Sequence, residues 1–335
     1  MKKILAGFLC LIALTTTPLF AQERPIVKSD LLSSAKLIDL QFTDSEIDSL
    51  FNDVIDNLAN YKAMHALSLN NSTPLSLWHT AILPGMQLNK VQKPIIWDAP
   101  TAVTLPANKN ELAFYSIEQL AYLIKNKKIS SVELTQFFID RIKKYGDTLQ
   151  CVISIQEDLA LAQAKQADAE IATGKYRGQL HGIPYGLKDL FAVKNTKTTW
   201  GAAPYQNQVI QEDAFVYEKM KAAGAVLVAK FTLGALAMGD YWYGGRTKNP
   251  WNLNYGSSGS SAGSTSATVA GLVPFAIGTE TWGSIVSPAT TCGATGLRPT
   301  FGSISRSGAM ALSYSLDKVG PITRSANDAA IVFHY

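Results

Sequence analysis

Gly256-Ser257-Ser258-Gly259-Ser260-Ser261-Ala262-Gly263-Ser264 is the stretch on which the fold turns. By composition it is a flexible linker, because glycine and serine leave the backbone free and bury little. Its neighbours argue otherwise. Asn249-Pro250-Trp251-Asn252 precedes it and an apolar run, Leu272 to Ile277, follows, so a floppy segment would interrupt a folded body. Small residues also let a backbone pass close to other groups and take up unusual geometry. A phosphate-cradling loop would end in Gly-Lys-Ser or Gly-Lys-Thr, and this one does not. The stretch reads as a closely packed part of a site.

Two further segments carry chemistry. Downstream, Gly278-Thr279-Glu280-Thr281-Trp282-Gly283-Ser284-Ile285-Val286-Ser287-Pro288-Ala289 places Ser284 in a tight glycine turn after the apolar run. A serine so placed is exposed for attack, and the amides beside it can point at a developing oxyanion. Taken alone, it reads better as a buried turn serine. Upstream, His181-Gly182-Ile183-Pro184-Tyr185-Gly186-Leu187-Lys188-Asp189-Leu190-Phe191 sets Lys188 behind an apolar approach. Lost hydration disfavours the ammonium form, which is how a lysine becomes a general base. Alone, the same lysine is a surface residue paired with Asp189.

Working outward, short apolar runs such as Val226-Leu227-Val228 alternate with helix-like stretches such as Asp213 to Ala223, which argues for an α/β body around a sheet. Ser116 with Gln119, and Ser130 with Glu133, are capping boxes. Leu134, Phe137, Phe138 and Ile142 line one face of the second helix. An alanine-rich helix runs from about Asp158 to Thr173, stopped by Gly174. Nearer the start, Thr43 with Glu46 opens a helix whose apolar residues are Ile47, Leu50, Phe51, Val54, Leu58 and Tyr61. Pro74 to Pro106 reads as a loop-rich connection.

Residues 1–21 have the order of an export signal: Lys2 and Lys3, an apolar run Ile4 to Leu14, then Phe20-Ala21 at a small-residue cleavage point. The run is too short to anchor a bilayer. Leu9 stands where a small residue would precede a lipidated Cys10. The expectation is a periplasmic or secreted protein, with no membrane attachment once the leader is cut.

Of 335 residues, 47% are hydrophobic and 17% charged, the profile of a folded protein with a large core. Without Lys2 and Lys3, 28 basic side chains face 26 acidic ones, which gives no reason to expect a nucleic-acid partner. Cys151 and Cys292, the remaining cysteines, lie among apolar or small residues and read as buried thiols. There is no HExxH or CxxC, and the histidines are scattered at 65, 79, 181 and 334, so no metal is expected.

Together, the upstream lysine, the glycine/serine-rich segment, the apolar strand and the glycine turn with its serine resemble the amidase signature family. The resemblance runs from about Ser116 to the end. It takes in Leu180-His181-Gly182-Ile183-Pro184, Ala222-Ala223-Gly224-Ala225, Asn249-Pro250-Trp251-Asn252 and Cys292-Gly293, then Gly296-Leu297-Arg298-Pro299-Thr300-Phe301-Gly302 and Ser315-Leu316-Asp317-Lys318-Val319-Gly320-Pro321. It implies the amidase-signature α/β fold, a mixed central β-sheet covered by helices, over residues 111–335, with a helical extension over 22–110.

The resemblance also implies a Ser-Ser-Lys triad. The base falls on Lys188. The bridging serine, which follows a cis peptide bond, falls on Ser260, with Gly259 and Ser261 in support. The nucleophile falls on Ser284. The 24 residues from Ser260 to Ser284 fit the family spacing and favour Ser260 over Ser261. The oxyanion amides fall on Thr281, Trp282, Gly283 and Ser284. The implied reaction is hydrolysis of a small-molecule or peptide amide through an acyl-enzyme, with no cofactor. His181, the nearest candidate for a histidine-based triad, is structural by the same comparison.

Trp282 replaces the family's usual glycine, Val286 its arginine and Glu280 its aspartate, and the acidic residue often found near Thr232-Leu233-Gly234-Ala235 is missing. The family continues past Asn327-Asp328-Ala329-Ala330, so this chain is expected to lack the C-terminal part of the fold. Two alternatives stay open: a catalytically silent fragment, and a protein like the A subunit of the tRNA-dependent amidotransferase.

Overall fold

The computed structural model describes residues 25–67, 85–87, 91, 93, 95–97, 100 and 102–335. The expected leader, Cys10 and most of the Pro74–Pro106 stretch lie outside these residues. The chain divides into two compact units, one within residues 1–74 and one within 75–335.

In the first unit, α1 (Lys28–Leu37) and α2 (Asp44–His65) contact one another. The capping box at Thr43 forms: its hydroxyl accepts from the Glu46 amide at 3.3 Å, and the Glu46 carboxylate accepts from the Thr43 amide at 2.7 Å. Lys28 pairs with Asp48 across the two helices. Of the apolar series on α2, Ile47 is buried, while Leu50, Val54 and Tyr61 are exposed.

The second unit opens with α3 (Ile117–Lys125) and α4 (Ser131–Leu149), capped by Ser116 and Ser130 as their boxes require. Then come β1 (Val152–Ile155), α5 (Glu157–Ala172), β2 (Pro184–Lys188), α6 (Phe215–Ala222) and β3 (Val226–Phe231). Short strands β4 (Tyr241–Trp242) to β5 (Gly245–Arg246) and β6 (Lys248–Asn249) to β7 (Asn252–Gly256) form two hairpins. The chain continues through α7 (Ala262–Val269), β8 (Phe275–Glu280), α8 (Val286–Cys292), β9 (Thr295–Gly296), β10 (Lys318–Thr323) and α9 (Ala326–His334).

Among the described residues the main sheet has the order β1-β3-β2-β8-β10-β9. Its centre, β3-β2-β8, is parallel, and its outer pairings are antiparallel. Along β3, Val226 and Val228 enter one apolar cluster and Leu227 the other. Along β8, Ala276 enters the first, and Phe275 and Ile277 the second. The first cluster includes Ile139 and Ile142 of α4, and Ala160 and Ala164 of α5. The second takes Leu120 of α3, Met220 of α6 and Ile331 of α9. A parallel core buried on both faces explains the continuous apolar runs. The mixed sheet covered by helices agrees with the expected architecture.

Two boundaries differ from the sequence reading. β8 begins at Phe275, after Pro274, so Leu272 and Val273 are buried in the turn before it. α6 begins at Phe215, because Asp213 is engaged elsewhere: its carboxylate accepts from the Lys194 amide at 2.8 Å.

The glycine/serine-rich stretch is not a linker. It leaves β7 at Gly256 and enters α7 at Ala262, with Ser257, Ser260, Ser261 and Ser264 all buried. Gly263 lets α7 lie against the sheet: a Cβ there would stand 2.4 Å from the Cys151 carbonyl oxygen and 2.5 Å from the Thr232 nitrogen. Both are backbone atoms that cannot swing aside. Gly263→Ala is therefore expected to destabilise the protein by about 1–3 kcal/mol. An unchanged urea midpoint would mean that α7 has room the packing does not show.

Candidate active site

The site lies at the carboxyl ends of the parallel strands, where open α/β sheets form their crevices. Lys188 is the last residue of β2, and Glu280 the last of β8. Lys188 is fully buried. Its Nζ lies 2.8 Å from Ser260 Oγ, 2.9 Å from Thr279 Oγ1 and 3.1 Å from Ser261 Oγ. No carboxylate touches it among the described residues. Burial pushes its pKa down to about 7, against the opposing pull of Asp317 and Glu280.

The pairing of Lys188 with Asp189 does not form. Asp189 is bound on its own side to Lys230, at 2.9 Å, and its other oxygen accepts from the amide and hydroxyl of Thr199, at 2.7 and 2.6 Å. Lys230 and Asp189 are both fully buried and complete an ion pair without Lys188.

Ser261 stands at the N-cap of α7, where a serine hydroxyl ordinarily accepts from the first turn of the helix. Here it turns instead to β8, donating to the Thr279 carbonyl at 3.0 Å and accepting from the Thr279 amide at 3.2 Å. Its proton is thus committed. A neutral amine has two N–H groups and one lone pair, so it donates to Ser261 and keeps the lone pair for another hydroxyl. The hydroxyls of Ser260 and Thr279, at 2.8 and 2.9 Å, are within reach of it, Ser260 the nearer.

The Gly259–Ser260 peptide bond is cis. Gly259 must be glycine, since a Cβ would stand 1.8 Å from the Gly239 carbonyl oxygen. Ser258, at φ 62°, donates its amide to Asp240 at 3.1 Å and shares a 2.8 Å hydroxyl bond with Ser287.

Ser284 is half-buried, and its carbonyl accepts from the Ser261 amide at 3.0 Å, which ties the two segments together. Glu280 shapes the turn, because one carboxylate oxygen accepts from both the Ile285 and Val286 amides at 2.9 Å. Among the described residues, nothing accepts from the amides of Trp282, Gly283 or Ser284. Such a row of free donors beside a serine can hold a negative oxygen. Trp282 stays out of the left-handed region that would favour glycine, and its side chain is 83% exposed. Thr281 is held by Asp317 and Lys318 from β10 and the loop before it.

Thr279, Asp317 and Lys318 were given no role from sequence. Their contacts arise from the pairing of β8 with β10, which neither segment shows by itself. A cavity of about 400 Å³ opens beside Thr279, lined also by Arg306, Met310, Leu312, Tyr314 and Asp317. His181 lies apart, fully buried, its Nδ1 accepting from the Arg177 amide at 3.1 Å. Cys151 and Cys292 are free, buried thiols, each pushed up to about 12 by burial.

The solved structures similar to this chain include peptide amidase from Stenotrophomonas maltophilia, 38% identical with a TM-score of 0.63 over 66% of this chain and 47% of that one. An amidase family protein from Bacillus anthracis is 32% identical, with a TM-score of 0.64 over 67% and 46%. Among curated proteins, the A subunit of glutamyl-tRNA(Gln) amidotransferase from Coxiella burnetii is 46% identical over 222 residues, 65% of this chain and 46% of the relative. The chain spans about half the length of the curated relatives it matches. The family model named Amidase matches residues 133–335. With more than half of its residues under that match, the chain belongs to the amidase family.

Proposed function

We propose that the protein is an exported hydrolase of carboxylic amides that releases ammonia or an amine through an acyl-enzyme on Ser284. The observation that carries this reading is the Lys188 amine, buried with no ion-pair partner among the described residues and 2.8 Å from Ser260 Oγ. A serine hydroxyl is a weak nucleophile until something takes its proton. In this reading Lys188 accepts the Ser260 proton while Ser260 takes that of Ser284, and Ser284 Oγ bonds to the amide carbon. The carbonyl oxygen becomes an anion against the amides of Thr281, Trp282, Gly283 and Ser284. Ser260 then passes its proton to the departing nitrogen, the C–N bond breaks, and Lys188 returns the proton to Ser260. Water repeats the cycle on the ester and releases the acid.

No cofactor enters this scheme. Substrates are small-molecule or peptide amides received in the cavity beside Thr279, whose Met310, Leu312 and Tyr314 suit an apolar or aromatic group. Export rests on the order of charged, apolar and small residues in 1–21. A second reading, a protein like the amidotransferase A subunit, is favoured by the identity to relatives of that name. An uncut N-terminus in a cytosolic extract would support it and count against export.

A fluorophosphonate should label the purified chain at Ser284, and Ser284→Ala should abolish both labelling and ammonia release over a small panel of amides. Unlabelled, folded protein would end the proposal. Activity should rise as pH passes through about 7, where the amine loses its proton, and EDTA should leave it unchanged. A flat profile across neutrality would remove Lys188 as the base.

The same amine leaves a trace in stability. An unfolded lysine binds a proton below about 10.4, whereas the folded Lys188 binds one only below about 7. Between these values the unfolded chain carries the extra proton, so stability rises with pH across that window and its loss is complete below the folded value. Relative to Lys188→Met, the wild type should gain denaturant resistance from neutral to alkaline pH. A constant difference between the two would place an ordinary, solvated ammonium at this position.

A further inference from the structure

Asp317 ends the loop before β10 and is 7% exposed. One carboxylate oxygen accepts from Thr281 Oγ1 at 2.7 Å. The other accepts from the amides of Leu312 and Ser313, at 2.8 and 3.0 Å, and so fastens the turn that walls the cavity. The next residue, Lys318, donates its Nζ to the Thr281 carbonyl at 2.7 Å. Thr281 is therefore gripped at its hydroxyl and at its carbonyl by two consecutive residues of another segment. Glu280 grips the opposite end of the same turn, at Ile285 and Val286. Between the two grips lie the free amides and Ser284.

We propose that Asp317 is a positioning residue for the Ser284 turn, fixing its Thr281 end while tying that end to the cavity wall. This rests on the amide-hydrolase reading. Asp317 need not touch the reacting atoms. Donors that stabilise an oxyanion act only when they are fixed before the charge develops, so loosening one end of the turn costs rate rather than substrate affinity.

The charge of Asp317 gives a second readout. Asp317 and Glu280 are the anions that face Lys188 and favour its protonated form, and Arg298 and Lys318 are the cations beside them. Removing the Asp317 charge leaves burial less opposed, so the pH at which Lys188 loses its proton moves down.

The test compares the rate of fluorophosphonate labelling at Ser284, from acid to alkaline pH, in the 335-residue wild type, Asp317→Asn, Thr281→Val and the double variant. Each single change should slow labelling about tenfold, the loss of one hydrogen bond to a charged group. The double should be no slower than the worse single, because both cut the same link. On an amide substrate kcat should fall with KM little changed. The acid limb should move to lower pH in Asp317→Asn and stay in place in Thr281→Val.

Asp317→Asn labelled at the wild-type rate would overturn the proposal. So would a slowed variant whose acid limb does not move and whose effect multiplies with that of Thr281→Val, since that pattern belongs to a merely structural residue. If Asp317→Asn fails to fold, Thr281→Ser decides: it keeps a hydroxyl for Asp317 and must label faster than Thr281→Val. Wild-type protein that is not labelled at all would bring down the hydrolase reading and this one with it. A labelled wild type with an equally fast Asp317→Asn brings down only the positioning role.

Discussion

An amine placed in the interior with only hydroxyl and carbonyl groups around it is the constraint from which the rest of the site follows. Among the described residues two lysines are fully buried, and they are solved differently. Lys230 meets the Asp189 carboxylate at 2.9 Å, as a buried charge generally requires. Lys188 meets Ser260, Ser261 and Thr279, none of which carries charge. Without a contacting anion, the interior favours the neutral amine, and a neutral amine is a base.

That outcome depends on where each neighbour sends its side chain. Lys188 and Asp189 are adjacent in sequence, and a chain in extended form points successive side chains to opposite sides. Asp189 goes to Lys230 and Thr199, and Lys188 goes to the serines. Ser261 is likewise withdrawn from capping α7 and spends its proton on Thr279. Asp189, the anion that would hold Lys188 charged, and Ser261, whose proton goes to Thr279, are both engaged elsewhere, and Ser260 is the nearest hydroxyl to the amine.

Much of this was legible in the sequence, because the information was local. Capping boxes set the starts of α2, α3 and α4, the apolar run at Val226 gave a central strand, and Lys188, Ser260 and Ser284 stood in segments whose composition made no sense as linker or surface. What stayed hidden was long-range. Asp317 and Lys318 reach Thr281 only because β10 pairs antiparallel with β8 in the register Lys318 to Glu280. Register depends on tertiary packing and is not written in either strand alone. Asp189 misled for the opposite reason: its true partner, Lys230, is 41 residues away on the neighbouring strand, and adjacency in sequence suggested the wrong one.

Glu280 and Asp317 then pose a question of electrostatics, since two carboxylates near a lysine would ordinarily hold it charged. Their bonding resolves it. Glu280 accepts from two backbone amides and faces Arg298 at 3.5 Å; Asp317 accepts from two amides and a hydroxyl. Each anion is satisfied by donors that are not Lys188, and its pull on the amine works only through space. Burial outweighs that pull without abolishing it, which sets the amine near neutrality instead of far below it. A base poised there can take a proton and give it back, which is what the proposed relay through Ser260 needs. The two carboxylates therefore shape the turn through their hydrogen bonds and, through space, keep the lysine near the range that the proposed relay requires.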